Sequence, residues 1–211
     1  MSDSQVLFFI LTSIIVILSP GQDMVLLISR GISTGKKAGM ITAAGISLGL
    51  LGHTLLVVMG LGAILQSSTV AFMMMKIIGA IYLIYIGVKV LFSPPISLPK
   101  SSNEVQGLWI YFKQGALSNL SNPKVAIFYF AYLPQFVTTE NVNPTETLLA
   151  LGVLFALLTF IVKIPIGYLA GYLSTWFQSN ISKQIVLNRI SGSVLIALGL
   201  HLITDDHQKS V

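Results

Sequence analysis

Ser19-Pro20-Gly21-Gln22-Asp23 interrupts the first long apolar run of this chain, and Ser118-Asn119-Leu120-Ser121-Asn122-Pro123-Lys124 interrupts the fourth. Each interruption places a proline and an ionisable side chain where the surrounding residues would otherwise make one continuous apolar helix. Around them the sequence supplies six mostly apolar stretches, roughly 5–29, 40–66, 70–92, 114–137, 147–173 and 185–203. About 20 apolar residues in a helix cross the hydrocarbon layer of a bilayer. The expected fold class is therefore all-α and integral to the membrane, with six transmembrane helices of which helices 1 and 4 are broken.

Composition agrees. Of 211 residues 54% are hydrophobic and only 9% charged, and the mean hydropathy is +0.85. A soluble domain carries about 25% charged residues to cover its surface. The six stretches use nearly the whole chain, so residues 1–211 are expected to form a single transmembrane domain whose site is built from the helices themselves. A net charge of +5 does not imply a nucleic-acid partner, because the cations are scattered at helix ends and form no basic patch with interleaved aromatics. The absence of cysteine excludes disulfides, thiolate nucleophiles and thiolate metal sites. Met1 to Gln5 carry Asp3 and no cation, unlike the positive start of a secretory signal, so the first helix is expected to be retained.

Sorting cations by loop places Arg30, Lys36, Lys37, Lys89, Lys100, Lys113, Lys183 and Arg189 at one face and Lys76 and Lys209 at the other. Positive loops stay cytoplasmic, which puts both termini outside. Three helices followed by three more have opposite orientations, so the chain is expected to hold two inverted three-helix repeats, about 1–92 and 113–205. The breaks in helices 1 and 4 occupy matching places in those halves. Lys76 with Gly79, and Arg189 with Gly192, repeat a weaker spacing in helices 3 and 6.

Matched proline breaks are the strongest sequence pointer to a transporter binding site. Pro20 and Pro123 remove backbone donors and free carbonyls at membrane depth, where each must find a partner. Gly21, Gln22, Asp23, Asn119, Asn122 and Lys124 are suited to lining the resulting wet cavity, and the half-helix that follows each break turns its amides and positive dipole end toward it. An α-amino acid matches this chemistry, its carboxylate meeting the amides and Lys124, its ammonium meeting Asp23. Asp23 is the one acid inside an apolar span. An acid in low dielectric beside a cation can exchange a proton, so Asp23 is the proton-coupling candidate, with Lys124 or Lys163 as its structural partner in the alternative reading. Lys163, near the centre of helix 5, is read as a substrate ligand or as half of a buried ion pair, and His53 in helix 2 as a further lining residue or a helix-to-helix hydrogen bond. Two packing kinks remain the alternative for the prolines. Gly45 with Gly49 and Gly167 with Gly171 make small-residue faces that serve close packing within the chain or, failing that, a homodimer.

Together with Gly35-Lys36-Lys37-Ala38-Gly39, Gly79-Ala80-Ile81-Tyr82-Leu83 and Leu133-Pro134-Gln135-Phe136, the two breaks make the chain similar, over essentially its whole length, to the LysE/RhtB family of amino-acid exporters. That resemblance implies export of an amino acid or a derivative across the bacterial cytoplasmic (inner) membrane, driven by proton antiport, with no cofactor. Gln22 stands where the family signature Pro-Gly-Pro has its second proline, which changes stiffness and polarity beside Asp23. The alternatives weighed are an exporter of a metal or organic cation and an intramembrane enzyme. A metal exporter would want several His, Asp or Glu at helical spacing. An intramembrane enzyme would want a zinc pattern, a cysteine or two intramembrane acids.

Overall fold

The computed structural model describes residues 3–67, 69–95, 107–137 and 143–204. Within them every regular element is helical. The first apolar run folds as α1 (Asp3–Leu18) and α2 (Gln22–Thr34), bent by 57° at the break. After Gly35 comes α3 (Lys36–Ser67), then α4 (Thr69–Leu91). The fourth run is also two helices, α5 (Leu108–Leu120) and α6 (Pro123–Tyr132), closed by a 3-10 turn over Leu133–Phe136. The remainder is α7 (Pro144–Tyr168), α8 (Ala170–Ser179) and α9 (Ile181–Thr204).

Both breaks therefore fall where proline and polar residues predict them. One further break does not: the fifth run, expected to be continuous over 147–173, divides at Leu169 into α7 and α8. Pro165 lies inside α7 on an exposed face, and the helix passes through it before ending one turn later, where the Leu169 amide donates to the Pro165 carbonyl at 2.9 Å. Lys36–Gly60, Pro144–Tyr168 and Ile181–Thr204 are each long and apolar enough to cross a membrane, and the bent α1–α2 pair makes a fourth such unit. The α4 helix and the α5–α6 pair occupy the places of the third and fourth expected spans. Lys100 and Lys209, used in sorting the loops, lie outside the described residues.

The exterior is unlike that of a water-soluble protein, and the interior holds polar groups beside its apolar core. Leu55, Leu56, Met59, Ile77, Ile78, Ile81, Ile161 and Ile203 are exposed, whereas Thr12, Asp23, His53, Asn119, Lys163 and Asn188 are buried. Broad exposed apolar surface on every long helix marks a lipid-facing exterior. Because lipid removes the hydrophobic drive between helices, close backbone approach has to hold them together. Glycine provides it. A Cβ on Gly45 would strike the Phe112 carbonyl and one on Gly115 the Thr42 carbonyl, which locks α3 to α5. Gly39 faces Gly167 between α3 and α7, and Gly87 faces Gly192 between α4 and α9. Gly45, Gly49 and Gly167 are thus used inside the chain, while a Cβ on Gly171 would meet nothing within 4 Å.

Candidate functional site

The two broken runs meet. Asn122 precedes α6 and its side-chain oxygen accepts the Lys124 amide at 3.1 Å, while Pro123 fills the first helical position, where a missing donor is harmless. At the other break Gly21 caps α2 without a side chain, and Asp23 stands in the first turn, where a negative charge is favoured by the helix dipole.

Each break's charged side chain is held by the other break. Asp23 Oδ2 accepts from Asn119 Nδ2 at 2.7 Å, and Asp23 Oδ1 accepts from Ser118 Oγ at 3.4 Å. In return Lys124 Nζ donates to Ser19 Oγ at 2.7 Å. Gln22, on the exposed side, reaches Ser118 Oγ at 3.2 Å and so bridges the breaks a second time. From α7 Lys163 Nζ approaches Asp23 Oδ2 to 3.7 Å, with both residues 5% exposed. Lys163 is therefore the ionic partner of Asp23, and Lys124 meets a hydroxyl instead.

Between these groups lies a cleft with about 450 Å³ of empty space, counting its open mouth. Of the residues predicted from sequence, Gly21, Asp23, Asn119, Asn122, Lys124 and Lys163 line it. Pro20, Gln22 and Pro123 shape the breaks without lining the cleft. His53 is buried one layer behind: its Nε2 meets the Asn119 carbonyl at 3.0 Å and its ring lies 5.8 Å from that of Tyr129. The lining also includes Ser19, named from sequence only as part of the first break, and Phe128, Phe155 and Thr159, which were not singled out from sequence. Phe155 and Thr159 were legible in principle, because they precede Lys163 at four-residue spacing and so share its helix face.

Three buried polar atoms at or beside the cleft have no hydrogen-bond partner: Asn119 Oδ1, Thr159 Oγ1 and His53 Nδ1. Atoms so placed can bond a water or a ligand. With one acid, two cations and open hydrogen-bonding capacity, the cleft can take a small ligand that brings a negative charge and additional donors.

A helical protein with a lipid-facing exterior and a charged cleft between two broken helices belongs to the membrane translocators. Residues 14–206 match the model of the LysE type translocators, and the chain belongs to that family. It is accordingly a transporter of the efflux type and not an enzyme. Among its relatives, an uncharacterized membrane protein of Vibrio cholerae is 32% identical over 94% of this chain and 96% of its own. The homoserine/homoserine lactone efflux protein of Salmonella typhi is 30% identical over the same shares. The leucine efflux protein of Enterobacter sp. strain 638 is 23% identical over 92% of each chain. No solved structure matches.

Proposed function

We propose that this translocator is a secondary exporter of an amino acid or amino-acid derivative, working across the bacterial cytoplasmic membrane by proton antiport. The observation that carries the reading is the reciprocal holding of Asp23 and Lys124 across the two breaks. An amino acid presents an ammonium and a carboxylate, charges complementary to that pair. Its carboxylate would replace Ser19 at Lys124, and its ammonium would compete with Lys163 and Asn119 for Asp23. The names of the Salmonella and Enterobacter relatives, which concern homoserine, its lactone and leucine, are consistent with that cargo.

In this reading the chain makes six spans with both termini outside, as two inverted halves about 1–92 and 113–205, with α4 and the α5–α6 pair as the third and fourth spans. Substrate binds from the cytoplasm between the breaks, ligated by residues among Gly21, Asp23, Asn119, Asn122, Lys124 and Lys163, with Pro20, Gln22, Pro123 and His53 in support. The halves rock, substrate leaves outward, and a proton taken from outside by Asp23 accompanies the return. A bare metal as cargo is less well served, since no three His, Cys, Asp or Glu side chains cluster among the described residues.

Efflux from proteoliposomes loaded with labelled amino acids, with and without an imposed pH gradient, tests this. One or a few amino acids should leave faster only when protein and gradient are both present. If organic cations move and amino acids do not, the cargo is wrong; if efflux ignores the gradient, the coupling is wrong.

A further inference from the structure

We propose that Lys36 and Tyr168 bind the headgroup of an anionic phospholipid, at the end of the bundle read above as cytoplasmic. The proposal goes beyond the transport cycle and does not depend on what is carried.

Three features with no part in the cleft come together there: the Gly35–Gly39 motif, the division of the fifth run at Leu169, and Gly171. The helices α3 and α7 run antiparallel, with Thr54 against Gly152 at one level and Gly39 against Gly167 near the end. One turn further along each chain segment, a Cβ on Gly35 or on Gly171 would meet nothing within 4 Å, so the close packing gives way to open ground. At its edge Lys36, the first residue of α3, reaches across to Tyr168, the last residue of α7. Lys36 Nζ lies 3.3 Å from the phenol oxygen and 4.7 Å from the ring centroid. Both residues are exposed.

The chemistry of this pair is one-sided. An ammonium only donates, so the phenol oxygen is the acceptor and the phenol hydrogen is left for another group, as are two hydrogens of the ammonium. No acid stands by to take them: the acids among the described residues are Asp23 in the cleft, and Asp3 and Glu146 in the first turns of α1 and α7 at the opposite end. Arg30, Lys37 and Lys113 add positive charge at the end where Lys36 lies. A cationic pair that offers donors and has no acid beside it suits an anion, and a phosphodiester brings both the charge and several acceptor oxygens.

The surface below the pair favours a lipid as the source of that anion. On α7, Ile161 and Leu157 lie seven and eleven residues before Tyr168 and so share its face, and they are 64% and 54% exposed. The helix is long and apolar enough to cross a membrane. An acyl chain lying along Leu157 and Ile161 carries its phosphate up to Tyr168 and Lys36, with the tyrosine ring at the boundary where aromatic side chains collect. A free phosphate has no use for such a stripe. The other cation–aromatic pairs at this end are built differently. Arg30 lies over Tyr111, which is buried, and Lys113 over Trp109 of its own helix, where no second helix takes part.

The test is thermal unfolding of the full chain in detergent, titrated with phosphatidylglycerol, with phosphatidylcholine of the same acyl chains, or with glycerol 1-phosphate. Phosphatidylglycerol should raise the midpoint saturably, and the other two should leave it in place. Lys36→Gln should raise the half-saturating concentration by about tenfold, the scale of a hydrogen bond to a charged group. Tyr168→Phe keeps the ring and loses the hydroxyl, and should raise it by about threefold, in the range of a neutral donor. Lys36→Arg should hold it near the wild-type value. Lys113→Gln removes the same charge from the same end and should shift it by less than about twofold, as for an exposed cation outside the site. Every substituted side chain is exposed, and circular dichroism before titration checks that each variant is folded. Equal losses in Lys36→Gln and Lys113→Gln would mean that only the summed charge of this end attracts lipid, and the site falls. Glycerol 1-phosphate acting as well as phosphatidylglycerol overturns the lipid as occupant, and phosphatidylcholine doing so overturns the anionic headgroup. No response to any of the three overturns the proposal outright, and none of these outcomes touches the exporter reading.

Discussion

The break between α1 and α2 and the break between α5 and α6 occupy matching places in the chain, yet they are built differently. The second is locally satisfied: Asn122 caps α6 with its side chain and Pro123 sits where its missing donor is harmless. The first has a glycine cap with no side chain and a 57° bend. Asp23 depends for its hydrogen bonds on Asn119 and Ser118 of the second break. The second break thus caps its own helix, whereas the first has no side-chain cap of its own. In the exporter reading proposed above, this inequality would supply the cycle with a fixed side and a moving side.

The largest effect that would break this comparison is at Asp23. Asp23→Asn keeps a side chain able to bond Ser118 and Asn119, and removes the charge and the titratable proton. Gradient-driven efflux should fall by at least about 100-fold, the lower range for losing a positioned proton carrier, and the residual rate should no longer respond to external pH. Circular dichroism and gel filtration in detergent check that the fold persists. Gradient-driven transport at the wild-type rate would take Asp23 out of the cycle.

Lys163 comes next. Lys163→Met leaves Asp23 buried without its cation, a change that costs about 3 kcal/mol at buried pairs. Here Asn119 and Ser118 still bond the carboxylate, so thermal unfolding in detergent should show a loss at or below that size. The double variant Asp23→Asn with Lys163→Met should recover much of it, because no buried charge is then unpaired. Additive losses in the double variant would mean that the two side chains are not energetically coupled.

The helix breaks at 19–21 and 121–122 were legible because proline and ionisable groups inside an apolar run have few structural meanings. The division at Leu169 was not, since neither glycine nor proline stands there and the conspicuous Pro165 lies within α7. The membership of the site was partly legible. Asp23, Asn119, Asn122, Lys124 and Lys163 converge because polar groups at membrane depth have nowhere else to go. Which lysine pairs with Asp23 was not legible: Lys163 lies on another helix, and the pairing depends on the rotation of α7 about its own axis, which no local pattern encodes. Thr159 shares the helix face of Lys163, but the state of its hydroxyl was not legible. A lone threonine in an apolar helix usually bonds its own backbone, and only the observed orientation separates Thr159 from Thr42 or Thr54. His53 is read most simply as the neighbour that fixes Asn119 through its carbonyl.

The smallest effects sharpen the contrast between an anchored break and a mobile one. A Cβ on Gly49 of α3 would stand 2.8 Å from the Ala116 carbonyl and 2.9 Å from Asn119 Oδ1. Gly49→Ala therefore forces α3 and α5 apart at the residue that holds Asp23, and overpacking of this kind costs about 1–3 kcal/mol. A Cβ on Gly21 would meet Lys124 Nζ at 3.8 Å, an ordinary contact, and its backbone is extended, a conformation any residue adopts. Gly21→Ala should hold stability within about 0.5 kcal/mol, because restricting the unfolded chain offsets what little crowding it adds. Measured side by side, Gly49→Ala should lower both the thermal midpoint and the efflux rate, while Gly21→Ala leaves the midpoint in place. Equal losses in the two variants would mean that the first break is packed as tightly as the second, and the division into a fixed and a moving side would have to be abandoned.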